Sequence, residues 1–249
     1  MQFIIAPAKK MRVASADFAP TAWPQYLEAA TQLIAAMRQL TYPAAKQLWQ
    51  CSDRLAQTNY AWLHELDLRQ NVSPAVMSYV GIQYQSMAPD LLIEAGLQYL
   101  DAHLRILSGL YGILRPFDAV VPYRLELGSR LAVGEARNLY AFWGERLYAA
   151  LDFSAPVINL ASAEYAKAIR PYLTAHDAFI TVTFAHRQAG QLKTRATYAK
   201  MARGAMVRYA ALHNATTVAD LTQFDDPNYA YDAAASTASE LVFIRREAQ

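Results

Sequence analysis

The residues best suited to binding chemistry lie between positions 115 and 126, where arginines alternate with prolines and aromatic residues. Proline fixes one backbone angle, so Arg115 and Arg124 are presented with little further loss of entropy. Their guanidinium groups suit phosphate oxygens, and the ring of Tyr123 suits the face of an unpaired base. The alternative is that these arginines pair with nearby carboxylates such as Glu126 and serve only the fold. The segment favours a site for anions or nucleic acid.

Two lysines, Lys9 and Lys10, directly follow the first apolar run of the chain, which begins at Phe3. An isoleucine-rich run of this length predicts a buried strand, and it ends at Pro7. Because open α/β sheets bind ligands beyond the carboxyl ends of their strands, the two lysines are candidates for a site. A solvated pair of surface lysines explains the same pattern.

Basic residues are concentrated in the middle of the chain. Residues 103–208 hold 14 basic and seven acidic residues, whereas both flanking segments are acidic. Between residues 186 and 208 there are six basic residues and no acidic one. Such a field attracts polyanions if the charges share a face of the fold, although a solvated surface explains the same run.

A predicted helix over residues 200–213 carries part of this basic run. Helical spacing places Lys200, Arg203 and Arg208 near one face, beside an apolar stripe. An ordinary surface helix has the same pattern, so these residues are candidates for binding rather than a motif.

Motifs for phosphate loops, metal sites and activated nucleophiles do not occur in the sequence. The patterns GxxxxGK[ST], GxGxxG, HExxH and GxSxG are missing, and the five histidines are scattered. The single cysteine, Cys51, excludes an intramolecular disulfide and a zinc site built from cysteine pairs. We expect no metal and no cofactor, and we expect Cys51 to pack on a helix as a small apolar group.

Length and composition favour one domain. At 249 residues and 54% hydrophobic residues, the chain can bury a large core. No apolar stretch approaches the roughly 20 residues that cross a membrane, and the first apolar run precedes its lysines, the reverse of a secretory signal. We expect a cytoplasmic protein that makes no membrane contact.

Periodicity predicts an α/β fold with alternating helices and strands. Helices are predicted after Pro24, from Thr41 onward, and over 90–100, 138–151, 163–169 and 200–213. Strands are predicted over 2–6, 105–108, 156–160, 179–185, 192–198 and 241–244, the fourth and fifth forming a hairpin. Residues 109–122 read as a long loop punctuated by glycine and proline.

Six blocks of the sequence resemble the YaaA family of bacterial peroxide-stress proteins in order and spacing. They are IAPAKK at 5–10, HLRILSGLYGILRPFDAVVPYRLELG at 103–128, NLYAFWG at 138–144, VINLAS at 157–162, YAKMARG at 198–204 and ELVFIR at 240–245. The blocks span nearly the whole chain.

The resemblance implies a cytosolic protein of the hydrogen-peroxide response that binds DNA and limits unincorporated iron. It further implies a fold of unusual topology, with a positively charged cleft and a helix-hairpin-helix element. That element maps onto residues 45–66, with its hairpin at 55–59. The hairpin contains no glycine, although such hairpins use glycine to bring backbone N–H groups close to a phosphate.

The sequence therefore predicts a mixed α/β protein with a single domain over residues 1–249 that binds duplex or distorted DNA without sequence specificity, and it leaves open whether the protein is an enzyme. The predicted binding residues are Lys9, Lys10, Arg105, Arg115, Tyr123, Arg124, Lys200, Arg203 and Arg208. The alternative is an enzyme that acts on a nucleotide-like or phosphorylated small molecule in the same cleft. Its residues would be Lys9, Ser108, Tyr123, Arg124, Glu126 and Lys200.

Overall fold

The apolar run at the start of the chain forms an interior strand of a mainly parallel sheet. The computed structural model describes residues 1–15 and 17–246. Phe3, Ile4 and Ile5 are fully buried, as expected for a strand that is covered on both faces. The strands are β1 (Gln2–Ile5), β2 (Lys10–Met11), β3 (Ser73–Pro74), β4 (Tyr79–Val80), β5 (Leu104–Ser108), β6 (Gly112–Leu114), β7 (Ala119–Val120), β8 (Val157–Asn159), β9 (Phe179–Gln188), β10 (Gln191–Lys193), β11 (Tyr229–Tyr231) and β12 (Glu240–Arg245).

Helices cover the sheet and connect its strands. They are α1 (Leu27–Arg38), α2 (Tyr42–Trp49), α3 (Asp53–Glu65), α4 (Ala75–Ser78), α5 (Ile82–Met87), α6 (Glu94–His103), α7 (Leu139–Trp143), α8 (Arg146–Ala149), α9 (Ala163–Ala166), α10 (Ala196–His213) and α11 (Val218–Thr222). Short 3₁₀ turns lie at Pro89–Leu91 and Arg170–Tyr172. The described residues form one α/β domain, as the periodicity predicts.

The main sheet has the order β11-β12-β9-β8-β1-β5-β6, with β10 paired to β9. Strands β12, β9, β8, β1 and β5 are parallel, while β11 and β6 are antiparallel at the two edges. From β1 the chain first reaches β5 on one side and later returns to β8 on the other. The strand order therefore reverses at β1, and the crevice beyond the carboxyl ends of β1 and β8 is where such sheets bind ligands.

The strands predicted over 2–6, 105–108, 156–160 and 241–244 are confirmed to within two residues. The predicted hairpin is confirmed in its first strand and its turn, where Ala189 and Gly190 both have positive φ. Its second strand ends at Lys193 because helix α10 already begins at Ala196.

The prediction of a continuous loop over 109–122 is wrong. Gly112 has a φ of +75°, which lets the chain turn back so that β6 pairs with β5. The helix predicted over 138–151 is likewise divided into α7 and α8 by Gly144, whose φ is +53°.

The hairpin that we placed at 55–59 is also wrong, because these residues lie inside α3. The helices α2 and α3 are joined instead at residues 50–52, where Gln50 adopts a left-handed conformation. The apolar pattern continues from one helix into the next, so periodicity alone misplaced the break. Cys51 lies in this connection and is half-buried, not on a helix as predicted.

Helices α5 and α10 cross at very short range. Gly204 lies at the crossing, where a Cβ atom would stand only 1.9 Å from the carbonyl oxygen of Gln83. Real Cβ atoms do not approach a backbone oxygen so closely, so this packing requires glycine. The crossing fixes the neighbouring Arg203 relative to α5.

Candidate functional site

A cavity of about 500 Å³ opens beyond the carboxyl ends of β1 and β8. Its walls come from the loop after β1, the start of α5, the segment 123–126, the segment 162–165 after β8, and helix α10. Five cationic and two acidic side chains line it: Lys9, Lys10, Arg124, Lys200, Arg203, Glu126 and Glu164. We call this space the first cavity.

Six of the nine predicted binding residues line the first cavity. They are Lys9, Lys10, Tyr123, Arg124, Lys200 and Arg203. Among the residues of the enzymatic alternative, Glu126 also lines it, while Ser108 is fully buried behind Tyr123. The structure thus brings together side chains that are more than 190 positions apart in the chain.

The segment 123–126 presents its charged side chains on one face. Arg124 and Glu126 are two positions apart in a segment whose residues alternate between buried and half-buried, and their side chains approach to 3.9 Å. Glu126 also forms a shorter ion pair with Lys9, whose Nζ lies 2.9 Å from Glu126 Oε2. The Arg124 side chain is only 16% exposed, and its Nε has no acceptor among the described residues. The weak ion pair therefore leaves this guanidinium incompletely satisfied.

Arg203 is the second arginine whose Nε is enclosed without an acceptor in the described part of the chain. Its side chain is half-buried where α10 passes over the cavity, whereas Lys200, one turn earlier, is exposed. Burial lowers the pKa of the Arg203 guanidinium from its ordinary value. Burial therefore disfavours the positive charge of Arg203, and no carboxylate among the described residues offsets this cost.

A chain of buried hydroxyl groups fixes the ring of Tyr123 at the wall of the cavity. Its hydroxyl lies 2.6 Å from Ser108 Oγ and 2.9 Å from the hydroxyl of Tyr79. The Tyr111 backbone N–H donates to the same Ser108 oxygen at 2.8 Å. Burial is the main cause that raises the pKa of Tyr123 to about 12, so the phenol keeps its proton at neutral pH. The ring is a rigid, neutral surface beside the two arginines.

Arg105 and Arg115 lie outside the first cavity. With Asp118 they line a separate pocket of about 310 Å³ near the amino end of β5. The Arg105 guanidinium donates to the carbonyl oxygens of Asp101 and Leu104, at 3.0 and 2.7 Å. The Asp118 carboxylate accepts from the Arg115 backbone N–H at 2.8 Å. The prediction that these arginines share one cleft with Arg124 is wrong.

The charges of this separate pocket are perturbed by burial. Burial raises the pKa of Asp118 to about 6, although the Arg115 N–H and the nearby arginines oppose the rise. Burial, and secondarily the neighbouring charge of Arg115, lowers the pKa of Arg105.

Arg208 also lies away from the first cavity, although it shares α10 with Lys200 and Arg203. Its guanidinium donates to the carbonyl oxygens of Met87 and Ala88, at 3.4 and 3.0 Å, at the end of α5. Arg208 thus links α10 to the carbonyl groups at the end of α5.

Several residues of the cavity were missed by the sequence reasoning. Gln83 and Tyr84 come from α5, and the Tyr84 hydroxyl donates to the Ala6 carbonyl oxygen at 3.1 Å. Glu164 and Tyr165 follow β8, and Glu164 accepts from the Gly128 backbone N–H at 2.8 Å. The strand-end argument used for Lys9 would have found the residues after β8.

Among residues 1–15 and 17–246, no three His, Cys, Asp or Glu side chains gather closely enough to hold a metal ion. None of the helices in these residues combines the length and apolar character required to cross a membrane.

Comparison with known proteins gives one consistent result. Residues 1–235 match the family described as peroxide stress protein YaaA. A UPF0246 protein of Lacticaseibacillus paracasei is 61% identical over 247 residues, covering 99% of this chain and 100% of that protein. UPF0246 proteins of Lactiplantibacillus plantarum and Agathobacter rectalis are 56% and 39% identical; each alignment covers at least 98% of this chain and 99% of the relative.

Proposed function

Because the chain belongs to the family of peroxide stress protein YaaA, we propose that it acts in the peroxide stress response by binding DNA, with one unpaired nucleotide held in the first cavity. The phosphate backbone on either side of that nucleotide would rest on the exposed lysines at the cavity rim. Binding would be independent of base sequence, since phosphates carry no sequence information.

The observation that carries this proposal is the pair of arginines with unsatisfied Nε groups. Of three buried side-chain nitrogens without an acceptor in the described residues, two belong to Arg124 and Arg203, and both line the first cavity. A buried donor without an acceptor costs about 1–3 kcal/mol. Phosphate oxygens are the acceptors that match a guanidinium fork best. An anionic ligand in the first cavity would therefore offset the charge of two arginines that the fold compensates only weakly.

The size of the first cavity supports a single nucleotide rather than a duplex inside it. Its volume of about 500 Å³ lies in the range of sites for small molecules and cofactors. Proteins that place a base in such a pocket bind single strands or extrude the nucleotide from the duplex, which is easiest where the base is already unpaired. The buried ring of Tyr123 gives this part of the cavity wall a fixed, uncharged shape.

Exposed cations support contact with the rest of the DNA. Lys9, Lys10 and Lys200 are exposed at the rim. Lys193 and Arg195 are exposed just before α10 begins, and this stretch of the chain contains no acidic residue. Each phosphate that these side chains neutralise releases counterions, so the affinity would fall steeply with salt.

Equilibrium binding to three DNA probes tests the proposal. We expect a duplex with one bulged thymidine, and a single strand, to bind about tenfold more tightly than the fully paired duplex, and all three to weaken as salt is raised. Absence of binding at low salt, or an affinity that salt does not change, would refute DNA binding. Equal affinity for paired and bulged duplexes would refute entry of a nucleotide into the cavity.

Arg124→Gln and Arg115→Gln form a matched pair for the same measurement. The two residues lie nine positions apart, but only Arg124 lines the first cavity. We expect Arg124→Gln to weaken binding of the bulged duplex by about 1–3 kcal/mol with little change in melting temperature. Arg115→Gln should have no more than a small effect on affinity. Equal losses from both substitutions would indicate a diffuse charge effect.

A second candidate function is an enzyme that acts on a nucleotide-like or phosphorylated small molecule. It is favoured by the position of the first cavity at the reversal of strand order, where α/β enzymes bind their substrates. Two carboxylates, Glu126 and Glu164, also face this space and are available for proton transfer. Tight binding of a free nucleotide without measurable binding of any DNA probe would favour this function over the first.

The limitation of unincorporated iron and the cytoplasmic location that the sequence resemblance implied stay predictions. Iron limitation would be measured as free intracellular iron after peroxide treatment in cells that carry Arg124→Gln, compared with cells that carry Arg115→Gln.

A further inference from the structure

A second cavity of about 440 Å³ lies on the other side of the short helix α9. Different faces of this helix line the two spaces: Glu164 and Tyr165 line the first cavity, whereas Ala163 and Ala166 line the second. Arg203 lines both. The two cavities are therefore neighbours that share one cation.

The second cavity has a different charge from the first. Its cations are Lys167, Arg170 and Arg203, and none of the described residues that line it is acidic. The first cavity contains Glu126 and Glu164, whose oxygens accept hydrogen bonds from the N–H and O–H groups of a base or sugar. The second cavity lacks such acceptors and is suited to negative charge alone.

Polar groups at the carboxyl end of β8 and near the amino end of β9 form the floor of the second cavity. Asn159 is 2% exposed, and its amide donates to the Thr181 hydroxyl at 3.2 Å. Arg170 donates to the same oxygen at 2.8 Å. A hydroxyl oxygen has two lone pairs and one proton, and these two bonds use both lone pairs. The Thr181 proton is therefore left as a donor toward a ligand, since no acceptor for it is found among the described residues.

Aromatic rings hold the two exposed cations of this cavity in place. The Arg170 guanidinium lies 5.3 Å from the ring centre of Phe179, and the Lys167 ammonium lies 5.0 Å from that of Tyr140. Neither cation has a carboxylate within ion-pair distance in the part of the chain that the structure describes. Their positive charges remain available to an anion.

We propose that the second cavity binds the phosphate adjacent to the nucleotide in the first cavity. The protein then binds two successive phosphates of one strand, with Arg203 between them. This inference rests on the proposed function and goes beyond it, because it assigns the ligand as a phosphodiester-linked strand rather than a mononucleotide. It gives Lys167, Arg170 and Thr181 a binding role that the sequence reasoning did not assign.

Two small probes test the inference: thymidine 5′-monophosphate and 5′-phosphorylated dithymidylate, which carries a second phosphate. We expect wild-type protein to bind the dinucleotide at least about tenfold more tightly. The double variant Lys167→Gln/Arg170→Gln should lose this advantage and keep its affinity for the mononucleotide. Arg54→Gln, an exposed arginine on α3 that lines neither cavity, serves as the matched control and should change neither affinity.

The possible outcomes separate the inference from the proposed function. If wild-type protein binds the mononucleotide and gains nothing from the second phosphate, the inference fails while the first cavity keeps its role. If the double variant weakens both probes equally, the second cavity does not act on the second phosphate and the inference fails. If thymidine 5′-diphosphate binds more tightly than the dinucleotide, the ligand is a nucleoside diphosphate and the strand assignment fails. If neither small probe binds while the bulged duplex does, the inference fails and DNA binding stands; if the bulged duplex does not bind either, the proposed function fails with it.

Because Lys167 and Arg170 are exposed, the double variant is expected to fold, and its melting temperature checks this. Thr181→Val provides a second variant that keeps the charges and removes only the hydroxyl. It should reduce the advantage of the dinucleotide by a smaller factor than the double variant.

Discussion

The first cavity and the pocket that contains Arg105 and Arg115 each present two arginines, yet the two regions satisfy them differently. In the pocket, backbone carbonyl oxygens accept from Arg105, and the buried carboxylate of Asp118 lies beside both arginines. In the first cavity, the Nε groups of Arg124 and Arg203 have no acceptor within the described residues. An arginine that its own fold satisfies supports the structure, whereas one that the fold leaves unsatisfied is available to a ligand.

The largest expected effect follows from removing the unsatisfied arginine on α10. Arg203→Met should weaken binding of the bulged duplex by about 2–3 kcal/mol, because it removes a charged donor shared by both cavities. The melting temperature should stay unchanged or rise, since the substitution removes a buried charge without a partner. Fluorescence anisotropy and thermal unfolding of one purified variant give both quantities.

Arg208→Met is the matched control on the same helix. It removes a cation that donates to two carbonyl oxygens at the end of α5. It should therefore lower the melting temperature and leave affinity nearly unchanged. The reverse pattern for these two variants would overturn the distinction between satisfied and unsatisfied arginines.

A smaller effect is expected at Asp118, on stability alone. The pKa of this carboxyl group is raised from 3.8 to about 6, so the folded protein holds the proton more tightly than the unfolded chain. The charged carboxylate therefore costs stability as the pH rises above 3.8, and the full cost is reached above about 6. Asp118→Asn keeps an acceptor for the Arg115 N–H and should be more stable than wild type by about 1–2 kcal/mol at pH 7.

Urea unfolding at pH 4 and pH 7 measures this difference. The advantage of Asp118→Asn should be small at pH 4 and should grow toward pH 7. Asp101→Asn, which alters an exposed carboxylate on α6 near the same pocket, controls for the loss of one negative charge. An advantage that is the same at both pH values would contradict the raised pKa.

The smallest effect is expected at Arg105. Arg105→Met removes two hydrogen bonds to carbonyl oxygens and relieves the burial that lowers the pKa of this residue. These contributions oppose each other, so we expect a loss of stability of at most about 1 kcal/mol. Binding of the bulged duplex should not change; a tenfold loss would bring this pocket back into the binding surface.

The sheet was largely predictable from sequence because its strands are short apolar runs bounded by proline, glycine or charged residues. Apolar runs of this length favour a buried strand, as they do at β1, β5, β8 and β12. The break between α2 and α3 was not predictable in the same way. It depends on the left-handed conformation of Gln50, which a non-glycine residue rarely adopts.

Residues of the candidate site were predictable where they directly follow the end of a strand. Lys9 was found because it follows the end of a strand. Arg105 lies on the same strand as Ser108 but three residues nearer its amino end, roughly 10 Å away. This distance places Arg105 outside the first cavity, which is why its position was predicted wrongly. The separation of Arg115 from Arg124 depends on the path through β6 and β7, and this path is set by tertiary packing.

The close crossing at Gly204 makes the binding geometry sensitive to a residue that offers no side chain. Any larger residue at this position would push α10 away from α5 and carry Arg203 and Lys200 with it. In a genetic screen, such changes would have the phenotype of binding-site mutations although position 204 contacts no ligand. Position 204 therefore matters for function because it sets the distance between two helix backbones, although it has no polar side chain.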